Sequence, residues 1–157
     1  MRKSLMLAWV ALLAGFGCAR KEPGSAAAGG HEHHAPHGGV LVELGGHQAS
    51  LELRFDGTRG VLQAWLLDAH AENFVRTDQP GFEIEARAGG AVHAVRFVAV
   101  ANAMTGETVG DTATFEAPAD WLRAAKAFDG RVKAITVRGV TFQDVPFKFS
   151  EHEAHAP

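Results

Sequence analysis

Cysteine is nearly absent from this chain of 157 residues, because Cys18 is the only one. A single cysteine excludes a disulfide within the chain. Methionine is also scarce, with Met104 the only one after the first six residues, so thioether and thiolate ligands for Cu(I) are poorly supplied. Basic residues number 15 against 18 acidic ones and form no cluster. This charge pattern argues against nucleic acid as a partner.

Long hydrophobic runs and catalytic motifs are missing as well. A bilayer-spanning helix needs about 20 apolar residues, whereas the longest apolar run extends only from Leu5 to Phe16. The chain contains no Gly-x-Ser-x-Gly elbow, no His-Glu-x-x-His helix and no phosphate-binding loop, which are the usual carriers of hydrolytic and nucleotide chemistry. We therefore predict that the protein is not an enzyme.

The first 17 residues have the organisation of an export signal. Arg2 and Lys3 precede the apolar run, and small residues lead up to Cys18, as in secretory leaders. The segment resembles the bacterial lipobox, although Gly15 stands where that family usually has Leu. The resemblance implies cleavage before Cys18, lipidation of its thiol with fatty acyl chains such as palmitate, and, with Ala19 next, an outer-membrane location facing the periplasm. The alternative is an ordinary secretory signal that leaves Cys18 as a free thiol.

Composition divides the rest of the chain into three parts. Residues 18–36 are small and polar, which predicts a lipid-anchored, flexible, histidine-rich linker. Residues 37–150 form the predicted folded domain, and residues 151–157 a disordered tail. Without Arg2 and Lys3, 13 basic residues face 18 acidic ones, so the mature chain carries a formal net charge of −5.

Short strands separated by glycine-rich turns dominate the predicted domain. Residues 47–55 alternate apolar and polar side chains, with Glu52 on the polar side, and Asp56 to Gly60 predicts a tight turn into a strand over 61–69. The other predicted strands cover 40–44, 82–87, 92–101, 112–116, 131–137 and 145–149. One helix is predicted over 118–128. These elements favour an all-β fold, an antiparallel β-sandwich of the immunoglobulin-like Greek-key type, with a small β-barrel as the alternative.

Histidine is the residue type that carries candidate chemistry. Four of the nine histidines lie within seven residues, at His31, His33, His34 and His37. Neutral imidazole binds zinc, Cu(II), nickel and cobalt, so this tract predicts a site for a divalent transition metal. The alternative is a solvated linker whose histidines bind nothing.

A second group of candidate ligands lies inside the domain. If residues 68–72 are extended, Asp68, His70 and Glu72 project to one side; alternatively, this is a strand end that enters a turn at Asn73 and exposes the histidine. Equal counting from the predicted turn at 57–60 places His47 near His70. We therefore add His47, Asp68, His70 and Glu72 to the candidate metal ligands. His93 is interpreted as a solvent-facing strand residue.

Two segments carry a further resemblance. The stretch from His37 to Gly45, within the letters PHGGVLVELG, and the later stretch from Val61 to Asn73, which ends in the letters LDAHAEN, resemble small histidine-rich bacterial envelope proteins over roughly residues 31–75. They are also similar to modules found beside or within periplasmic adaptor subunits of heavy-metal efflux systems of the resistance-nodulation-division type. The chain lacks the long helical hairpin and lipoyl-like halves of an adaptor. The resemblance therefore implies an accessory or metal-loading protein, with a metal-efflux complex as a possible envelope partner.

Two function classes remain open on these grounds. The first is a lipid-anchored protein that captures divalent metal through its histidines. The second is an interaction or structural lipoprotein whose β-domain contacts another envelope protein, with incidental histidines.

Overall fold

The structure is a computed structural model that describes residues 33–151. The predicted signal peptide 1–17, the lipidation site Cys18, the candidate ligand His31 and most of the predicted linker 18–36 lie outside the described residues. So does the predicted tail 151–157, apart from Glu151.

Eight strands and one short helix make up the described part of the chain. The strands are β1 (Val40–Leu44), β2 (Ala49–Asp56), β3 (Val61–Leu67), β4 (Gly81–Ala88), β5 (Ala91–Ala99), β6 (Thr114–Pro118), β7 (Ala127–Val137) and β8 (Val140–Ser150), and the helix is α1 (Leu122–Ala125). Each of the eight predicted strands corresponds to one of these elements, with boundaries that differ by up to five residues.

All eight strands belong to one antiparallel sheet in the order β1-β2-β3-β6-β5-β4-β7-β8. The two outer strands, β1 and β8, approach each other, so the sheet curls into a nearly closed barrel. The all-β prediction with a single short helix is confirmed. The continuous sheet corresponds to the barrel that was the alternative arrangement.

The core fills the inside of the curled sheet with alternate side chains from each strand. Its largest fully buried members are Phe97, Phe115, Phe149, Leu44, Leu51, Leu53, Leu62, Leu66, Leu67, Ile84, Leu122 and Ile135. Phe82 stacks on Phe97 with ring centroids 4.5 Å apart. This interior fixes which face of each strand looks outward, and hence where polar side chains gather.

The predicted helix over 118–128 is wrong in extent, because only Leu122–Ala125 is helical. Pro118 ends strand β6, and Phe128 lies in β7 as a buried strand residue. Lys126 adopts a left-handed conformation, with φ 61°, and ends the helix after one turn. The apolar spacing of this segment therefore combines a helical turn with the alternation of the following strand.

The connection between β5 and β6 is organised by Glu107, a buried carboxylate. It accepts hydrogen bonds from the backbone N–H of Ala113 at 2.7 Å and from the hydroxyls of Thr105 at 2.6 Å and Thr112 at 3.3 Å. Burial alone would raise the pKa of Glu107, but these hydrogen bonds and the nearby charge of Arg76 together lower it. The loop is thus built around an ionised carboxylate.

Candidate functional site

Three histidines that are distant in sequence meet at one end of the β2–β3 hairpin. The ring of His33 lies 5.8 Å from the ring of His47 and 5.6 Å from that of His70, measured between centroids. Both pairs have edge-to-face geometry, with interplanar angles of 68° and 75°. We call these three residues the histidine cluster.

Strand register explains why His47 and His70 lie close to each other. In the β2–β3 hairpin Ser50 faces Leu67, so the β1–β2 connection that carries His47 and the turn that carries His70 lie at the same end of the hairpin. The turn of the hairpin is closed by a hydrogen bond from the N–H of Gly60 to the carbonyl of Asp56, 2.8 Å long. Both residues lie near His33, at the end of the hairpin to which equal counting from this turn assigns them.

His47 sits in a connection with unusual backbone geometry. It follows two glycines with positive φ and has φ 63° itself, which is uncommon for a residue with a side chain. Its N–H donates to a carboxylate oxygen of Glu43 at 2.8 Å, and its Nε2 lies 3.8 Å from the other oxygen. The imidazole is 63% exposed, so dissolved ions have access to it.

His70 is presented by a turn and not by an extended segment. Strand β3 ends at Leu67, and the Asp68 carboxylate accepts bonds from the N–H of Glu72 at 3.0 Å and from the side-chain amide of Asn73 at 2.7 Å. The bond from Asn73, supported by backbone donors, lowers the pKa of Asp68. Of the two interpretations of residues 68–72, the structure therefore has the strand end that enters a turn, with Asp68 as its cap, and not the extended segment.

His37 is held by two neighbouring residues of the β2–β3 hairpin. Its Nδ1 lies 2.9 Å from Oε2 of Glu52, and its ring stacks on the indole of Trp65 with centroids 3.8 Å apart. Glu52 and Trp65 face each other across the two strands. We call this arrangement of His37, Glu52 and Trp65 the His37 clamp.

The backbone around His37 also depends on Glu52. Oε1 of Glu52 accepts hydrogen bonds from the N–H groups of His37 at 2.8 Å and Gly39 at 2.9 Å. A Cβ atom at Gly39 would lie 2.5 Å from the carbonyl oxygen of Leu53, so only glycine allows this approach to β2. The segment 33–39 therefore lies along the outer side of the hairpin, and the predicted linker contributes its last four residues, 33–36, to the described surface.

Glu52 was expected to be exposed to solvent, but the structure buries it. The alternation of β2 assigns it to a polar, outward face, yet it is 0% exposed. The reason is that residues 37–39 cover that face. The only signal in the sequence is the histidine and two glycines at residues 37–39. No local pattern shows that these residues contact a strand 13 to 15 residues later.

The remaining candidates do not join the histidine cluster. His34 and Glu72 are exposed, and His37 belongs to the clamp. His93 stacks on Trp121 at 4.1 Å, so it is partly covered and not simply a solvent-facing strand residue.

The chemistry of the histidine cluster is that of neutral nitrogen ligands. Within residues 33–151 no three His, Cys, Asp or Glu side chains form a ready-made metal site. Two imidazoles that share a tetrahedral zinc ion, with Zn–N distances of about 2.0 to 2.1 Å, have ring centroids roughly 5 Å apart. The two His33 distances exceed that separation by less than about 1 Å.

A surface groove of the described residues lies elsewhere, on β4, β7 and β8. Its charged side chains are paired, with Arg87 2.7 Å from Glu85 and Lys148 2.6 Å from Asp129. It contains no histidine. Among residues 33–151 no helix has the length and apolar character required to cross a bilayer.

Comparisons with known protein families, with curated proteins and with solved structures gave no match to this chain.

Proposed function

We propose that this chain is a lipid-anchored protein of the bacterial cell envelope that binds a divalent transition metal ion through histidines, as an accessory to metal efflux or homeostasis. The observation that carries the proposal is the position of His33 between His47 and His70. An ion held by imidazoles from three separate segments would add binding free energy to the folded state, which edge contacts between the rings alone do not supply.

The ligand type supports particular metals. Imidazole nitrogens, with the carboxylate of Glu43 near His47, suit borderline divalent ions such as Zn²⁺, Cu²⁺, Ni²⁺ and Co²⁺. Cu(I) is disfavoured because the chain offers few sulfur ligands. Exposure of His47 and His70 allows ions to enter and leave, as a protein that transfers metal requires.

The predicted export signal at residues 1–17 supports the proposed location at a membrane. Cys18 follows a short apolar run and a small-residue approach, and lipid attached to its thiol would hold the histidine tract near a membrane. Replacement of Cys18 by Ser should move the protein from the membrane fraction to the soluble fraction and abolish incorporation of labelled palmitate. Membrane retention of the Cys18→Ser variant would contradict lipid anchoring.

A second candidate function is an interaction lipoprotein in which the histidines shape a surface for another envelope protein. Two observations favour it. His37 is occupied by Glu52 and Trp65, and Phe74, which packs near His37, is 53% exposed. An exposed aromatic ring beside an ordered segment is typical of protein contact surfaces.

Calorimetric titration of the full chain in detergent separates the two functions. We expect Zn²⁺, Cu²⁺ or Ni²⁺ to bind with a Kd in the micromolar range or below, and the triple variant His33→Ala/His47→Ala/His70→Ala to lose at least about tenfold in affinity. His93→Ala is the matched control, because His93 lies on β5 against Trp121. Absence of binding by all three ions, or unchanged binding by the triple variant, would refute the proposed site.

A further inference from the structure

Glu52 combines complete burial with three hydrogen bonds to one short segment. Oε1 accepts from two backbone N–H groups, those of His37 and Gly39, and Oε2 contacts the His37 ring. An ionised carboxylate only accepts hydrogen bonds, so the ring contact requires a proton on Nδ1 of His37. The bond therefore fixes the tautomer and the orientation of this imidazole.

The stack on Trp65 restrains the same ring from its face. Its interplanar angle is 15° and its centroid distance 3.8 Å, and Trp65 is itself only 8% exposed. The two restraints act at right angles to each other, since one lies in the ring plane and the other lies across it. His37 is thereby fixed at a point four residues from His33.

The position of His33 follows from this fixed point. His47 and His70 lie in short connections next to β2 and β3, but His33 precedes the first strand and has no strand partner. The contacts of His33 with His47 and His70 therefore depend on how residues 37–39 are attached to β2. A ligand that is placed before the ion arrives does not have to be ordered by the ion, which strengthens binding.

We propose that Glu52 is a positioning residue for metal binding: without touching the ion, it holds His37 and so places His33 beside His47 and His70. This inference rests on the proposed function. It implies that the affinity of the site depends on the folded domain and not only on the density of histidines in the tract.

The test is zinc binding by the full chain carrying Glu52→Gln. Glutamine keeps the volume, and its carbonyl oxygen still accepts from the two N–H groups, but its amide nitrogen only donates, so a bond to Nδ1 would require the other tautomer of His37 and would lack the charge of the carboxylate. We expect a Kd for Zn²⁺ roughly tenfold weaker, the low end of the range for direct partners of metal-binding histidines, because Glu52 acts on His33 only through His37. Glu116→Gln is the matched control, because Glu116 is a partly buried carboxylate of the same sheet that pairs with Arg59.

A second variant separates positioning from a general loss of structure. His37→Phe keeps an aromatic ring on Trp65 but removes the bond to Glu52, and we expect a similar loss of affinity. The double variant should bind no more weakly than either single one, since both remove the same link. Electron paramagnetic resonance of bound Cu²⁺ should show one homogeneous nitrogen-ligated species in the wild type and a mixture in Glu52→Gln.

The outcomes distinguish this inference from the proposed function. A wild-type chain that binds no Zn²⁺ overturns both. Wild-type binding with a Kd that Glu52→Gln leaves within about twofold, in a variant whose circular dichroism spectrum is unchanged, overturns only the positioning role. Additive losses in the double variant overturn it as well, because they would mean that Glu52 and His37 act independently.

Discussion

At the scale of single residues, Glu52 stands out because its burial is complete and all its contacts lie on one segment. Burying a carboxylate is costly unless hydrogen bonds compensate, and here three donors do so. Removal of the acceptor leaves buried donors without a partner, which costs more than the bond itself contributes. This asymmetry makes Glu52 important for stability as well as for the position of His37.

We predict that Glu52→Ala lowers the free energy of unfolding by about 1 to 3 kcal/mol, the usual penalty for unpartnered buried polar groups. Urea denaturation followed by circular dichroism measures the change. Glu83→Ala is the control, because Glu83 makes only a 3.4 Å contact with the exposed Arg96 and such surface pairs contribute at most about 1 kcal/mol. Equal losses in the two variants would show that the His37 clamp adds no stability.

Gly39 offers a second test at this scale. A methyl group at Gly39 would press on the Leu53 carbonyl of β2, and crowding of this kind costs typically 1 to 3 kcal/mol. Gly46 has positive φ but open space around it, so Gly46→Ala should cost about 1 kcal/mol through backbone strain alone. We expect Gly39→Ala to be the less stable variant in urea denaturation. The reverse order would mean that the segment does not lie against β2.

At the scale of elements, the loop between β5 and β6 should respond to acid. The pKa of Glu107 is lowered from its ordinary value of 4.5, so the folded state binds its proton more weakly than the unfolded state. The stabilisation is therefore fully present above about pH 5 and is lost as the pH falls through the folded-state pKa. We expect Glu107→Gln to reduce the pH dependence of the unfolding free energy below pH 5.

Urea denaturation at several pH values between 3 and 7 measures this effect. Thr105→Val is a companion variant, because it removes a hydroxyl that donates to Glu107 at 2.6 Å while leaving the carboxylate in place. It should raise the pKa of Glu107 and shift the loss of stability to higher pH. Identical pH profiles for the wild type and Glu107→Gln would contradict a role for this carboxylate in acid sensitivity.

Local sequence patterns predicted the strands of this protein, but they did not predict which outward-facing side chains are buried by other segments. The strands follow from alternation and turn residues, and the proximity of His47 to His70 follows from the length of the turn between β2 and β3, because a hairpin fixes its own register. The burial of Glu52 was not predictable in this way. It depends on contact with residues 37–39, which are far enough in sequence that only the folded chain brings them together.

Two other differences have local causes. The helix was predicted too long because Phe128 satisfies both a helical spacing and the alternation of β7. The Asp68 to Glu72 segment was open to two interpretations, and the turn prevails because Asp68 bonds with Asn73 and the backbone of Glu72. Short polar residues at strand ends commonly favour such local bonds over continued extension.

At the scale of the whole molecule, the proposed site joins parts of the chain that meet only after folding. His33, His47 and His70 come from the segment before β1, the β1–β2 connection and the turn after β3. In the unfolded chain the four histidines of residues 31–37 stay close together in sequence, but they are no longer held near His47 and His70. Metal should therefore bind the folded state more tightly than the unfolded state and stabilise it by mass action.

We predict that Zn²⁺ at 100 times its Kd raises the free energy of unfolding by up to about 2.7 kcal/mol, with a corresponding rise in Tm. Differential scanning calorimetry of the full chain at pH 7.5 measures it. The double variant His47→Ala/His70→Ala should lose most of this rise, whereas His93→Ala should keep it.

The size of the rise distinguishes a folded site from a flexible tract. Residues 31–37 alone would bind zinc in the folded and unfolded chain alike, and a ligand with equal affinity for two states shifts no equilibrium between them. Zinc binding without any change in Tm would therefore assign the ion to the tract and exclude the histidine cluster. A rise that persists in His47→Ala/His70→Ala would instead place the stabilising ligands outside the β2–β3 hairpin.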